Sequence, residues 1–244
     1  MLPLIPLLIT LLCVTTGIVN QSSAHYSFDI TAYSHPIKLH LGCGQIKFDG
    51  YINIDYPQSE QTVQKQIAAD IHADISHLNL PANSIKEIRS HHMFEHFSRS
   101  VALALLCNWH TWLENDGDLI IETPDFERSM HILMNDSYSY VQKQSTLRHI
   151  FGSHEAHWAV HWDGWYAQKF KHVLSAVGFE DISFEYTQWQ LCPNIIVRAK
   201  KKKDMAGQVL AAQAKELLRE SLVDATEQEM LRCWCDEFDR YFKN

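Results

Sequence analysis

The sequence has no CxxC pair among its six cysteines, no Lys or Arg before Lys38, no internal repeat and no low-complexity tract. Each absence excludes something. The spacing of Cys13, Cys43, Cys107, Cys192, Cys233 and Cys235 argues against a disulfide scaffold and leaves reduced thiols as the default. Basic residues are outnumbered 21 to 29, for a net charge of -8. A nucleic-acid footprint needs a basic face, so no nucleic-acid partner is expected. Without a basic n-region, the apolar start is not an ordinary secretory signal. No GK[ST] follows the one glycine-rich turn, which excludes a Walker phosphate loop.

What is present suits one globular domain with a substantial core: 244 residues, 46% of them hydrophobic and 11% aromatic. Residues 1–28 form an apolar segment whose stretch 2–19 is uncharged and just long enough to span a membrane. Ser22-Ser23-Ala24 offers a small-residue cleavage site, while Pro3, Pro6 and Gly17 weaken a span. A cleaved signal, an anchor and a misassigned start all stay open. The main domain is expected over 29–203 and a helical tail over 204–244.

From residue 37 short apolar runs alternate with helical stretches. Strands are expected at 37–41, 51–55, 84–90 and 118–123, with 182–189 and 194–199 as a closing antiparallel pair. Ser98 can cap a helix to Leu113, with Val101, Leu105, Trp109 and Leu113 on one stripe. A helix at 165–177 should close on Gly178. Such alternation predicts an α/β fold, a mostly parallel Rossmann-like sheet with helices on both faces. Residues 126–163 interrupt it as a His-rich, aromatic insertion suited to substrate recognition. Two tail helices are expected at 205–223 and 226–242, the second opened by a Thr226/Glu229 capping box. Its stripe of Leu231, Trp234, Phe238 and Tyr241 should pack on the domain or on a second copy.

The stretch KLHLGCGQIKFDGYINIDY, residues 38–56, carries the functional signal. One apolar run enters Gly42-Cys43-Gly44 and a second ends in Asp55. Ligands of parallel sheets sit beyond the carboxyl ends of the strands, where glycines let the backbone approach. A dinucleotide fingerprint would place a third glycine at 47 and an acid about 20 residues on. Position 47 is Lys, and Asp55 follows Gly42 by only 55 − 42 = 13 residues. No ordinary helix fits between, which disfavours a diphosphate on a helix N-terminus. A strand-end carboxylate can still accept both hydroxyls of a ribose. A ligand with a ribose and no diphosphate is required, and S-adenosylmethionine meets both conditions.

LHLGCGQIKFDGYINID resembles the first two motifs of class I S-adenosylmethionine-dependent methyltransferases. More narrowly, it is similar to methyltransferases associated with cell-surface polysaccharide synthesis. The resemblance continues through Asp74 before Leu80-Pro81, Glu95-His96, Asp116-Gly117-Asp118-Leu119-Ile120, Pro124-Asp125, His161-Trp162-Asp163-Gly164-Trp165 and Gly178-Phe179. DGD replaces a PGG-like turn, and His91-His92 stands where a small polar residue is common. The resemblance implies that Leu41, Gly42, Cys43 and Gly44 line the methionine end, with Asp55 on the ribose. It implies Asp74 on the adenine amine, Ile75 against the ring, the His91 backbone near the amino-acid group, and Glu95-His96 at the donor. The acceptor it implies is a hydroxyl or amine of a glycan or small metabolite. Because the donor is made in the cytosol, the domain is expected in the cytoplasm or anchored to the cytoplasmic face.

The histidines admit other readings. His92-Met93-Phe94-Glu95-His96 matches HxxEH, a zinc-hydrolase motif, but that motif needs the middle of a helix, and this tract leaves a strand. No metal is expected. His154, His157 and His161 share a face if their segment is helical. His157 and His161 are the candidate bases, with Asp125 and Glu155 as fallback bases or orienters. Trp158, Trp162 and Trp165 suit a flat, hydroxylated acceptor or a plain core. A non-catalytic cofactor-binding scaffold is a further alternative.

Overall fold

A computed structural model describes residues 28–243 apart from 61, 62, 64 and 65, so the N-terminal apolar stretch 2–19 lies outside the described residues. Seven strands form one sheet: β1 (Lys38–Leu41), β2 (Ile52–Asp55), β3 (Ile71–His72), β4 (Ile85–His91), β5 (Leu113–Pro124), β6 (Phe179–Trp189) and β7 (Cys192–Lys201). Their order is β3-β2-β1-β4-β5-β7-β6. The first five run parallel, while β7 is antiparallel to both neighbours. This is the expected Rossmann-like sheet with its antiparallel closing strand. Central β1 is buried on both sides, and its one buried polar ring, His40, is held by Asn53 of β2 at 3.0 Å.

The helices are α1 (Arg99–Trp112), α2 (Phe126–Met134), α3 (Tyr140–Phe151), α4 (Ala167–Ala176), α5 (Gly207–Glu220) and α6 (Gln228–Tyr241). Ser98 caps α1 as expected, its side chain accepting from the Val101 N–H. α1 is buried on almost every side because α5 and α6 cover its outer face. Leu231 and Phe238 sink into that contact, so the tail's apolar stripe is used within the chain, as the first of the two packing alternatives foresaw. The Thr226/Glu229 capping box does not form. Asp224 takes the Thr226 N–H and hydroxyl instead, and α6 starts after that turn.

The two faces of the sheet are covered unequally. Among the described residues no α-helix follows β1, β2 or β3. Loop 44–51 lies there instead, with Phe48 stacked on the His40 ring at 4.3 Å and packed edge-on against His91. The insertion also departs from a plain loop. It holds α2 and α3, the latter with a full Ser139/Gln142 capping box, and then an irregular run to Gly164. His154 has φ +57 in that run, so the three histidines share no helical face.

Candidate cofactor and acceptor site

The carboxyl ends of β1, β2 and β4 frame a cavity of about 460 Å³. Gly42 and Gly44 form its floor, both with positive φ. A Cβ on Gly42 would lie 2.5 Å from Met93 Cβ, so glycine is required by close packing as well as by φ +71. Asp55 ends β2 and turns back under the glycine loop. Its two oxygens accept from the Gly44 N–H at 2.6 Å and the Tyr56 N–H at 2.7 Å. Burial raises the Asp55 pKa against those two hydrogen bonds. Lys47 pairs with Asp70, which also holds the Asn53 backbone and amide, and so the loop is tied to β2.

Asp74 lines the same cavity and caps the turn Ile75–His77. One oxygen takes the Ser76 N–H and hydroxyl, and the other faces His77 Nδ1 at 2.9 Å. Burial works upward on its pKa, but these partners prevail and hold the carboxylate below its usual range. Leu41, Cys43 and Ile75 are buried beneath the cavity wall rather than on it. Burial first, then Asp55, pushes the Cys43 thiol up to about 12, which leaves it unreactive. His91 turns its ring to the opposite face, toward His40 and Phe48.

One wall was not foreseen. Glu237 and Tyr241 of α6 close the cavity. Ser98 donates to Glu237 Oε2 at 2.8 Å, and Tyr241 meets the His77 ring edge-on at 5.3 Å. The aromatic stripe of α6 was visible in sequence, but its partner α1 lies more than a hundred residues earlier, and no local signal links them.

A second cavity, of about 730 Å³, adjoins the first, and His92, His96 and Trp158 line both. Glu95, Glu122, Arg148, His149, Glu155, His161, Trp189 and Asn194 are among the other residues of its wall. Glu95, expected at the donor, is thus on this side. His92 Nδ1 donates to Glu95 Oε1 at 3.2 Å, and Nε2 lies 3.9 Å from Glu122. Burial alone would discharge the pair. The hydrogen bond overcomes it, so Glu95 stays ionised well below the usual range and His92 is raised. His92 leaves β4 at φ +46, and Phe94–His96 is a single 3-10 turn, so the helical HxxEH geometry of a hydrolase is absent.

The candidate bases separate. His161 is nearly buried in the second cavity, and burial pulls its pKa down to about 4, keeping the ring neutral. His157 is exposed on the rim of the first. Asp125 lines neither cavity; it is a buried N-cap that accepts from the Arg128 N–H. The tryptophans separate too. Trp158 lines both cavities and donates to the Glu60 carbonyl at 2.8 Å. Trp162 is 63% exposed on the rim, and Trp165 is core, stacked on Phe170.

No protein-family model matches the chain, and no curated protein matches it. Solved structures do. A SAM-dependent methyltransferase from Archaeoglobus fulgidus is 13% identical with TM-score 0.46, over 67% of this chain and 85% of that one. The methyltransferase complexed with the Haloferax volcanii activator Trm112 is 10% identical with TM-score 0.47, over 70% and 83%. Human N-acetylserotonin methyltransferase in complex with SAM is 15% identical with TM-score 0.44, over 76% of this chain and 52% of that one.

Proposed function

We propose that the chain is an S-adenosylmethionine-dependent methyltransferase that methylates a hydroxyl or amine of a glycan or other small metabolite. The observation that carries this reading is the pair of adjoining cavities at the carboxyl ends of the strands. The first offers a glycine floor and strand-end acids, with no helix N-terminus after β1 to cradle a diphosphate. Asp55, at the end of β2, takes the ribose hydroxyls. Asp74 and Ser76 edge the adenine, and Gly42 and Gly44 pass the methionine end. The sulfonium methyl then points past His92 and His96 into the second cavity.

There the acceptor lies among Glu122, Glu155, Trp158 and Trp189, polar and aromatic groups suited to a hydroxylated ring. Transfer is an in-line displacement whose chemistry the donor supplies, and the protein's part is alignment and management of the acceptor proton. His161 serves the acceptor, not the donor. We assign the reaction to the cytoplasm, where the donor is made; no described helix is long and apolar enough to cross a membrane.

Comparing extracts of cells with and without the gene for methylated metabolites tests the activity and identifies the acceptor. A product 14 Da heavier that depends on the gene and on Asp55 is expected (a methyl replacing hydrogen). Cofactor binding without any such product would leave a binding scaffold.

A further inference from the structure

Glu95, His96 and His161 bring one oxygen and two nitrogens within 4.8 Å of one another in the floor of the acceptor cavity. Both imidazoles are oriented by backbone carbonyls. His96 Nδ1 lies 3.3 Å from the Val160 oxygen, and His161 Nδ1 lies 3.1 Å from the Ile150 oxygen. A carbonyl only accepts, so each Nδ1 carries a hydrogen, and in the neutral ring that tautomer leaves the lone pair on Nε2. Metal-bound histidines are oriented in this way, with the distal N–H on a carbonyl or carboxylate. The rings meet edge to face at 4.6 Å, and His161 Nε2 lies 4.0 Å from Glu95 Oε1.

Glu95 adds the independent observation. Its side chain is 2% exposed, and Oε2 has no hydrogen-bond partner among the described residues. His92 satisfies only Oε1. Leaving one oxygen of a buried carboxylate unsatisfied costs that atom its hydration with nothing in return. An ion pair with His92 explains the charge, but neither the orphan Oε2 nor two imidazoles gathered around this carboxylate.

We propose that Glu95, His96 and His161 bind one divalent first-row transition ion, with an open position toward the acceptor. This reverses the metal-free expectation from sequence. The donor set is not His92-x-x-Glu95-His96; it joins Glu95-His96 to a histidine of the insertion. Two imidazoles and one carboxylate suit zinc, manganese, iron or cobalt, whereas magnesium and calcium favour all-oxygen shells. Three protein ligands leave a place for substrate, as in catalytic sites. Tetrahedral ligands at about 2.1 Å from an ion sit about 3.4 Å apart. The ligand atoms, within 4.8 Å of one another, reach that spacing by side-chain rotation, chiefly of His161 on the irregular run after α3.

The role of the ion rests on the methyl-transfer reading above. An acceptor hydroxyl bound at the open position loses its proton more readily, and that proton leaves to solvent. The resulting oxygen forms the O–CH3 bond as the S–CH3 bond breaks, and the bonding pair stays on sulfur to give S-adenosylhomocysteine. His96 borders both cavities, which places the ion where donor and acceptor meet.

The test titrates the metal-free full chain with zinc by calorimetry, and with cobalt(II) as an optical probe. One equivalent of zinc, with visible cobalt bands of a low-coordinate site, is expected. His161→Ala and His96→Ala should each weaken zinc by more than about 100-fold, a larger loss than removing an outer-shell partner. Both should keep a native melting transition, His161→Ala should also keep unchanged S-adenosylhomocysteine affinity, and His172→Ala should keep wild-type zinc affinity. No uptake of either ion by folded protein, or equal uptake by wild type and His161→Ala, overturns the site. Zinc binding in a protein that fails to bind S-adenosylhomocysteine overturns the methyl-transfer reading and leaves the metal site standing.

Discussion

The cavity proposed for the donor and the cavity proposed for the acceptor share a wall, yet they are built by different means. The proposed donor side has a floor of glycine backbone and strand-end carboxylates, walled by side chains of the insertion and α6. Gly42, Gly44, Asp55 and Asp74 sit within one stretch of chain, at the ends of two adjacent strands and a turn. The proposed acceptor side is mostly side chain, drawn from the turn after β4, β5, α3, the irregular insertion, β6 and β7. A site made by strand ends is fixed by the topology of the sheet. A site made by an insertion is fixed only when every contributing element has folded.

Acid should break both at once, and this is the largest effect expected. Burial holds His91, His110 and His161 near pKa 4, against an unfolded value of about 6.5. Below 6.5 the unfolded chain takes up protons that the folded chain refuses, so their stabilisation is present above about 6.5 and is lost as pH falls toward 4. His92, raised by Glu95, acts in the opposite sense and contributes less as pH rises above 6.5. The melting temperature by calorimetry should drop steeply from pH 6.5 to pH 4; a flat profile would contradict the buried neutral rings.

Phe238→Ala tests whether the tail belongs to the donor half. Phe238 is fully buried, so the change should cost about 3–5 kcal/mol in a urea titration. A loss below about 1 kcal/mol would return the tail to the status of an appendage. Gly42→Ala strikes the donor floor alone. A Cβ 2.5 Å from Met93 Cβ, in a left-handed backbone, should cost about 2–4 kcal/mol and also weaken cofactor. The acceptor half should answer differently. His161→Ala should slow turnover by about 100-fold with cofactor affinity near wild type, whereas exposed His157→Ala should change turnover by less than about 10-fold. Equal effects in single-turnover assays would erase the distinction between these two histidines.

The same contrast decided what could be read in advance. Periodicity and caps located β1, β2, β4, α1 and α4 to within a few residues, because burial on the sheet and the Ser98 cap are local facts. Glycines and strand-end acids at fixed spacing marked residues that the fold brings together around the first cavity. The acceptor site joins Glu95 to His149, His161 and Asn194, and no spacing rule connects residues so far apart. His154-x-x-His157-x-x-x-His161 looked like one face because a helix was assumed; after Gly152 the chain bends, and only His161 turns inward. The α6 wall was hidden for the same reason, since Tyr241 reaches the donor cavity only through packing on α1.

The central claim is that Asp55 holds the ribose of S-adenosylmethionine at the end of β2. Calorimetric titration of the wild-type chain and Asp55→Ala with S-adenosylmethionine tests it most directly. One equivalent should bind the wild type, and the variant should lose about 1.5–3 kcal/mol, roughly 10- to 150-fold in affinity, for a hydrogen bond to a charged group. The variant's melting transition should remain cooperative. No binding to the wild type, or the same affinity in both proteins, would contradict the account.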